Sequence, residues 1–202
     1  MQNFLHMLNI LVVLIFIIGY LPQIYTTLKY KTNRGVSTSF WFYIATATSI
    51  TLRNIIETGE AEWYMYMGQI VNTSFACMFF LYFNHVHNKN NKTKYVLFIL
   101  TYLVVVPFIT NNVGVSHSQA LASLAIILAY LSQLKHFYKV KTSEGTNPLL
   151  YGLFAVGLLD LILLLLLLTG ASPHTVITES VNVALLFICY VVAVYYRPKE
   201  IN

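Results

Sequence analysis

Long apolar runs separated by short polar segments dominate the chain. A helix that crosses a bilayer needs about 20 mostly apolar residues, and seven runs are close to that length. They predict membrane-spanning helices at residues 4–28, 39–57, 62–84, 95–111, 118–138, 148–169 and 175–196. The fourth run is short, with Pro107 near its end and Asn111 and Asn112 after it, so a re-entrant segment is an alternative there. The pattern predicts an all-α membrane protein with seven transmembrane helices.

Composition and charge support this fold and orient it. Charged residues make up 9% of the chain, against about 25% in soluble domains. Of the 12 Lys and Arg residues, all except Arg53 fall in segments that a seven-helix chain places on one side. Because cytoplasmic segments collect basic residues, we expect an external N-terminus, a cytoplasmic C-terminus and a location in the cell membrane. The net charge of +5 then follows from topology, and no nucleic acid is expected as a partner.

One sequence unit occurs twice. Residues 20–37 read YLPQIYTTLKYKTNRGVS, and residues 130–147 read YLSQLKHFYKVKTSEGTN, at a constant offset of 110 positions. A constant offset that holds through loops and apolar segments indicates two copies of one structural unit. The predicted division is a first three-helix repeat (1–88), a linker with helix 4 (89–117) and a second three-helix repeat (118–202).

Helix 4 gives the two copies the same orientation. Three helices per copy would leave the second copy inverted, and one further helix restores its direction, so a 3+1+3 bundle of parallel repeats follows. The apolar run near the N-terminus continues into the first repeated segment. We therefore expect that no cleavable signal peptide is present there, because cleavage would remove part of the repeat.

The repeated segment resembles a known motif. Pro22-Gln23, followed by Lys31-Thr32 and then by Gly35 and Ser37, is similar to the motif of the PQ-loop family. That family includes the SWEET sugar transporters and cystinosin, and the resemblance implies a transporter that works by alternating access.

The motif suggests a hinge in the first helix of each copy. Proline has no N–H and clashes with the preceding turn, so Pro22 should bend or loosen its helix. The Gln23 amide can then form hydrogen bonds with the groups that this break leaves unpaired. The second copy carries Ser132 and Gln133, a degenerate version of the motif. The resemblance implies that these four residues form the hinge, and a static kink at Pro22 is the alternative.

Two asparagines in apolar helices are the candidate solute ligands. Asn72 and Asn182 are related by the repeat offset, as are Gln69 and Glu179, which lie one helical turn before them. In SWEET transporters the matching asparagines contact the sugar, so the resemblance implies substrate binding by Asn72, Asn182, Gln69 and Glu179. Amides that hold the helices together are the alternative. The outer parts of helices 2 and 6 lack the tryptophans that clamp sugars in that family, which favours amino acids or other small polar metabolites.

Asp160 is a candidate for proton coupling. It stands in a run of leucine and isoleucine, and its repeat mate is Ile50. A carboxyl group inside the membrane costs about 2.5–3.5 kcal/mol even on lenient scales, so it is retained where it has a task such as carrying a proton. A static acid, or a pair with Arg53, is the alternative.

The remaining residues suggest neither an enzyme nor a cofactor. Cys77 and Cys189 fall inside predicted helices and are not repeat mates, and His85 and His87 lack a third ligand nearby, so no metal or disulfide is expected. We therefore expect a transporter whose partners are a small polar solute and membrane lipid, with a homo-oligomer left open. A cargo or sorting receptor, or an accessory protein of lipid-linked sugar use, is the alternative.

Overall fold

The described residues form helices and no strand. The computed structural model describes residues 2–59, 63–87, 92–167 and 173–198. Within these ranges the chain folds into seven helices. Their bounds are α1 Gln2–Tyr30, α2 Thr38–Thr58, α3 Trp63–His87, α4 Lys92–Val113, α5 Val115–Val140, α6 Pro148–Leu167 and α7 Pro173–Tyr195.

Five of these helices are long and apolar enough to cross a membrane, namely α1, α4, α5, α6 and α7. The helices α2 and α3 are long enough but less apolar, and α2 buries Thr48, Ser49 and Asn54. The prediction of an all-α chain with several membrane-spanning helices is confirmed. The predicted helix ends at residues 62 and 169 and the predicted domain boundary at residue 88 lie outside the described residues.

The helix α4 is longer than its sequence pattern suggested and contains one wide turn. It covers 22 residues, and its middle section, Thr101–Val105, is a π turn in which the Val106 N–H donates to the Thr101 carbonyl. Pro107 is the second residue after this turn. A proline ring clashes with the carbonyl four residues earlier, so the added residue in the turn accommodates Pro107 without ending the helix.

The chain divides into two compact units. The first comprises residues 1–35 and 134–202, and in it α1 packs against α6 and α6 against α7. Glycines allow the close approach of α1 and α6: a Cβ on Gly19 would lie 2.5 Å from the Phe154 ring, and one on Gly157 would lie 3.1 Å from Ile15. Small residues at such interfaces are the usual means of bringing membrane helices together.

The second unit, residues 36–133, contains α2, α3, α4 and most of α5. Aromatic rings join the first three helices: Trp41 lies 4.4 Å from Phe79, and Phe80 stacks on Phe98 at 4.7 Å between ring centroids. The helices α2 and α5 are joined by hydrogen bonds, in which the Ser118 hydroxyl donates to the Asn54 side chain at 2.8 Å. A small apolar cluster of α2, α4 and α5 accompanies them, formed by Ala47, Ile50, Val106, Ala122, Ala125 and Ile126.

The compact units do not coincide with the sequence repeats. The first unit combines α1 of the first repeat with α6 and α7 of the second, and the second unit contains α2 and α3 of the first repeat. Sequence similarity identifies copies, whereas packing is decided by which surfaces meet. The repeat boundaries stay a prediction.

Candidate functional site

The loops that follow α1 and α5 begin with the same backbone conformation. Lys31 and Lys141 begin them with left-handed φ angles of 49° and 56°, which are uncommon for residues other than glycine. One residue later, the Thr32 hydroxyl accepts the Arg34 N–H at 3.2 Å, and the Thr142 hydroxyl accepts the Glu144 N–H at 3.3 Å. The repeat found in the sequence is therefore also a repeat of local structure at the start of the first loop, residues 31–37, and of the second loop, residues 141–147. The loops differ further on, because Gly35 has a φ of 81° whereas Gly145 has no positive φ.

Gln23 joins α1 to the second loop. Its side chain is 1% exposed, and its amide nitrogen donates to the Gly145 carbonyl at 2.9 Å. Its amide oxygen accepts the Asn147 N–H at 2.9 Å. The Asn147 side chain returns a third bond by donating to the Pro22 carbonyl at 3.1 Å.

Gln133 makes the corresponding bond to the first loop. It is also 1% exposed, and its amide oxygen accepts the Ser37 N–H at 3.0 Å. Beside it, the hydroxyls of Ser132 and Ser37 lie 2.7 Å apart. Ser37 and Asn147 are repeat mates at the offset of 110. The glutamine of each copy therefore holds the loop of the other copy, a reciprocal arrangement that we call the glutamine brace.

The Gln23 amide makes bonds both to the second loop and within α1. The helix α1 continues through Pro22 without interruption from Gln2 to Tyr30. The Gln23 amide nitrogen donates to the Thr27 hydroxyl of α1 at 3.2 Å as well as to the second loop. The hinge remains a prediction; its proposed residues are Pro22, Gln23, Ser132 and Gln133.

The two loops also touch each other within the first unit. The Gly145 N–H donates to the Arg34 carbonyl at 2.7 Å, and the Thr146 hydroxyl donates to the Gly35 carbonyl at 2.8 Å. Gly35 has a φ of 81°, and a Cβ there would overlap the Thr142 carbonyl oxygen. The end of α7 is attached as well, because the Ser143 hydroxyl donates to the Ala193 carbonyl at 2.6 Å.

A cleft of about 150 Å³ opens beside this junction. Glu144 and Arg197 contribute charged groups to its lining, and the hydroxyls of Thr26, Ser143 and Thr146 contribute polar ones. The loops are therefore tied by hydrogen bonds but are not fully enclosed by protein.

The predicted solute residues of the first unit lie together on α7. Asn182 is fully buried, and its amide nitrogen donates to the Glu179 carboxylate at 3.1 Å. The Asn182 amide oxygen is shielded and has no hydrogen-bond partner among the described residues. A buried acceptor without a hydrogen-bond partner suits a ligand that donates a hydrogen bond.

The predicted solute residues of the second unit lie on α3. Asn72 and Gln69 are both partly buried. The Gln69 amide oxygen is shielded, and no described residue donates to it. Since Asn72 and Asn182 belong to different compact units, their joint contact with a solute stays a prediction.

Asp160 lies on α6 and is partly buried. One of its carboxylate oxygens is shielded and finds no hydrogen-bond partner within the described part of the chain. Arg53 donates to the Asn111 side chain at 3.0 Å. An unbonded oxygen leaves a place for a proton, and the coupling role of Asp160 stays a prediction.

Sequence reasoning missed one pair of polar residues and one irregular turn. Ser37 and Asn147 were not recognised as partners of the glutamines, although the offset of 110 marks them as equivalent and both can donate from the backbone. The π turn of α4 was also missed. Its signal in the sequence is Pro107, because a proline inside a helix requires a kink, a break or a wide turn.

The comparisons with known proteins agree with the motif. Residues 4–61 match the PQ loop repeat family. Searches of the curated proteins and of the solved structures found no significant match. The match covers α1, the first loop and α2, the segment that carries Pro22 and Gln23. The resemblance is thereby confirmed: the chain is a multi-pass membrane protein with a PQ loop repeat in residues 4–61.

Proposed function

We propose that the protein is a transporter that moves a small polar solute across the membrane by alternating access. The observation that carries the proposal is the glutamine brace, which ties each copy's loop through buried hydrogen bonds to the other copy's first helix. Neutral hydrogen bonds contribute about 0.5–1.5 kcal/mol each. A gate made of a few such bonds can therefore open and close at moderate cost.

The solute site is proposed at Asn72, Gln69, Asn182 and Glu179. Two of these side chains keep a shielded acceptor that no described residue uses, the amide oxygens of Gln69 and Asn182. Amides also donate hydrogen bonds, and Glu179 adds a negative charge. This set suits an uncharged or zwitterionic solute such as an amino acid or a sugar-like metabolite.

The proposed transporter crosses the cell membrane seven times in a 3+1+3 arrangement. Its N-terminus lies outside the cell, and its C-terminus lies in the cytoplasm. The basic residues beside the two loops support this orientation, since Lys29, Lys31, Lys139 and Lys141 all stand near the glutamine brace in sequence. The gate formed by the brace then lies on the cytoplasmic side. Membrane lipid surrounds the bundle, and a homo-oligomer is compatible with this arrangement.

Uptake into proteoliposomes tests the proposal. Purified protein is reconstituted, and entry of radiolabelled amino acids and of radiolabelled sugars is measured as two pools against protein-free vesicles. At least one pool should enter faster with the protein. Asn182→Ala and Asn72→Ala should each reduce uptake about tenfold, the effect of losing one good solute hydrogen bond.

Asn112→Ala is the matched control. Asn112 is an exposed helical asparagine that donates to its own helix, at the Phe108 carbonyl, so its removal should leave uptake unchanged. If neither pool enters, the transporter proposal is wrong, and the receptor and accessory alternatives remain to be separated by binding of peptides and by assay of lipid-linked sugars.

A further inference from the structure

A cavity of about 180 Å³ lies in the second compact unit, where α2 and α4 begin and α3 approaches its end. Thr38 and Ser39 of α2, Phe80 of α3, and Lys94 and Leu97 of α4 contribute to its lining. The cavity is partly open to the outside of the protein. A single water needs about 10–15 Å³, so a group of many atoms fits in this space, which we call the Lys94 cavity.

The polar part of the lining carries one positive charge and two hydroxyls. Lys94 supplies an ammonium group with N–H donors, and the hydroxyls of Thr38 and Ser39 can donate as well. Among the described residues of the second unit, Glu57 is the one acid, and it lies at the opposite end of α2 from Thr38. The lining therefore offers donors to an anion, and no described carboxylate of this unit lies near enough to repel it.

The other part of the lining is apolar. The rings of Phe42 and Phe80 lie 5.6 Å apart between centroids, and Leu97 lines the cavity while 55% of it stays exposed. Leu100, one turn later on the same face of α4, is also half exposed. The apolar surface therefore continues from the cavity along the outside of α4. A small soluble anion would leave this surface uncovered, whereas the acyl chain of a lipid would cover it.

The position of Lys94 along α4 matches the depth of lipid headgroups. The helix α4 covers 22 residues, which is about 33 Å at a rise of about 1.5 Å per residue. This length is close to the hydrocarbon core of a bilayer, about 30 Å. Lys94 stands in the first turn of α4, so its ammonium group lies where the hydrocarbon meets the headgroups. Leu97 and Leu100 follow on the hydrocarbon side of it.

We propose that the Lys94 cavity binds one anionic phospholipid of the membrane. Its phosphate accepts hydrogen bonds from Lys94, Thr38 and Ser39, and an acyl chain lies against Leu97 and Leu100. A negative headgroup is preferred over a zwitterionic one, because the lining supplies a cation but no carboxylate that could pair with choline. The site is separate from the residues assigned to the solute, and it does not depend on the protein being a transporter.

Thermal unfolding of the full chain in detergent, with lipid added in mixed micelles, tests the proposal. Phosphatidylglycerol should raise the Tm more than phosphatidylcholine does at the same mole fraction. Lys94→Gln should need about fivefold more phosphatidylglycerol for the half-maximal Tm increase, the effect of one lysine on binding to anionic lipid. Lys94→Arg keeps the positive charge and should need about the same amount as the original protein.

Lys92→Gln is the matched control. Lys92 is the exposed first residue of α4 and does not line the cavity, so its substitution should change the half-maximal amount of phosphatidylglycerol much less. Equal effects of Lys92→Gln and Lys94→Gln would reveal a general attraction to surface charge, and the proposal would then be wrong. It is also wrong if phosphatidylcholine raises the Tm of the original protein as much as phosphatidylglycerol does.

Inorganic phosphate distinguishes a lipid from a free anion. Phosphate without lipid should affect the Tm of the original protein and of Lys94→Gln equally. An increase that depends on Lys94 and is as large as the one with phosphatidylglycerol would assign the cavity to a free anion and overturn the lipid assignment.

Leu97→Ala tests the apolar part of the lining. It should raise the half-maximal amount of phosphatidylglycerol about two- to fourfold, because it removes apolar surface from the contact with the acyl chain. Val96→Ala is its matched control, since Val96 is 54% exposed but lies outside the lining, and it should leave that amount unchanged. The same response from both variants would contradict an acyl chain held at the Lys94 cavity.

Discussion

Gly35 lies where the first loop closely approaches the second. It has a left-handed backbone, and a Cβ there would overlap backbone atoms of Thr142 and Ser143. Alanine there must accept a strained φ, which costs about 1–2 kcal/mol. It must also displace backbone atoms, at about 1–3 kcal/mol more. We expect Gly35→Ala to lower the free energy of unfolding by the sum of these terms, measured by thermal or denaturant unfolding in detergent.

Gly59 provides the control for this prediction. It caps α2 with a φ of 67°, and a Cβ there would meet nothing within 4 Å. Gly59→Ala should therefore show the strain of the backbone alone. Equal losses for Gly35→Ala and Gly59→Ala would mean that the loops do not press on each other at Gly35.

The residue scale also shows what the sequence could not reveal. The offset of 110 identified Gln23 and Gln133 as equivalent, and the structure gives both the same burial and the same use of their amide oxygens. The offset carries no information on which loop each glutamine binds, since an exchange of partners between copies leaves the sequence pattern unchanged.

At the scale of elements, the contact between α1 and α6 depends on Gly19. The ring of Phe154 lies over it and is held by Phe16 at 5.6 Å and by Tyr20 at 5.1 Å, so it has little freedom to move aside. We expect Gly19→Ala to destabilise the protein by about 1–3 kcal/mol through overpacking. The measurement is the Tm in detergent.

Gly152 on α6 is the matched site for the same substitution. A Cβ there would lie 3.6 Å from the Tyr190 ring, an ordinary contact. Because alanine favours a helix over glycine by about 1 kcal/mol, Gly152→Ala should keep or raise the Tm. A Tm loss for Gly152→Ala as large as that for Gly19→Ala would show that the glycines matter for another reason than space.

The first helices of the two copies differ at Pro22 and Ser132. Replacing Pro22 with alanine restores a helical N–H and stiffens α1, so solute uptake should slow several-fold while the apparent affinity stays the same. Ser132→Ala removes one hydroxyl bond to Ser37 but leaves α5 as stiff as before. Uptake by Ser132→Ala should therefore change less, and equal slowing in both variants would contradict a hinge at Pro22.

The boundaries and types of the elements were largely predictable. Seven apolar runs predicted seven helices. A segment inside lipid must satisfy its backbone hydrogen bonds internally, and few structures other than a helix do so. The π turn of α4 was not predicted, since a proline inside a helix can be accommodated by a kink, a break or a wide turn, and the sequence pattern does not decide among these three.

At the scale of the whole molecule, the sequence repeats and the compact units divide the chain in different ways. The sequence reveals copies, because duplication preserves spacing. It does not reveal that α1 packs against α6, because that choice is made by complementary surfaces such as Gly19 against Phe154. Each compact unit therefore contains helices of both predicted copies.

Substitution of Asp160 can test whether solute transport is coupled to proton movement. It has a shielded oxygen that no described residue bonds, whereas the acid of α7, Glu179, is bonded to Asn182. A carboxyl group that binds a proton on one side of the membrane and releases it on the other would link solute flux to proton flux. The two acids therefore make a matched pair, one proposed for the proton and one for the solute.

Asp160→Asn keeps the shape of the side chain but cannot carry a proton. In proteoliposomes with an imposed pH gradient, uptake by the original protein should exceed uptake without the gradient, and Asp160→Asn should lose this difference. Exchange of solute at equal concentrations and equal pH should continue, because it requires no net proton movement. Glu179→Gln should instead weaken solute affinity and keep the response to the gradient. If uptake by the original protein is independent of the gradient, Asp160 is a structural acid and the protein is a uniporter.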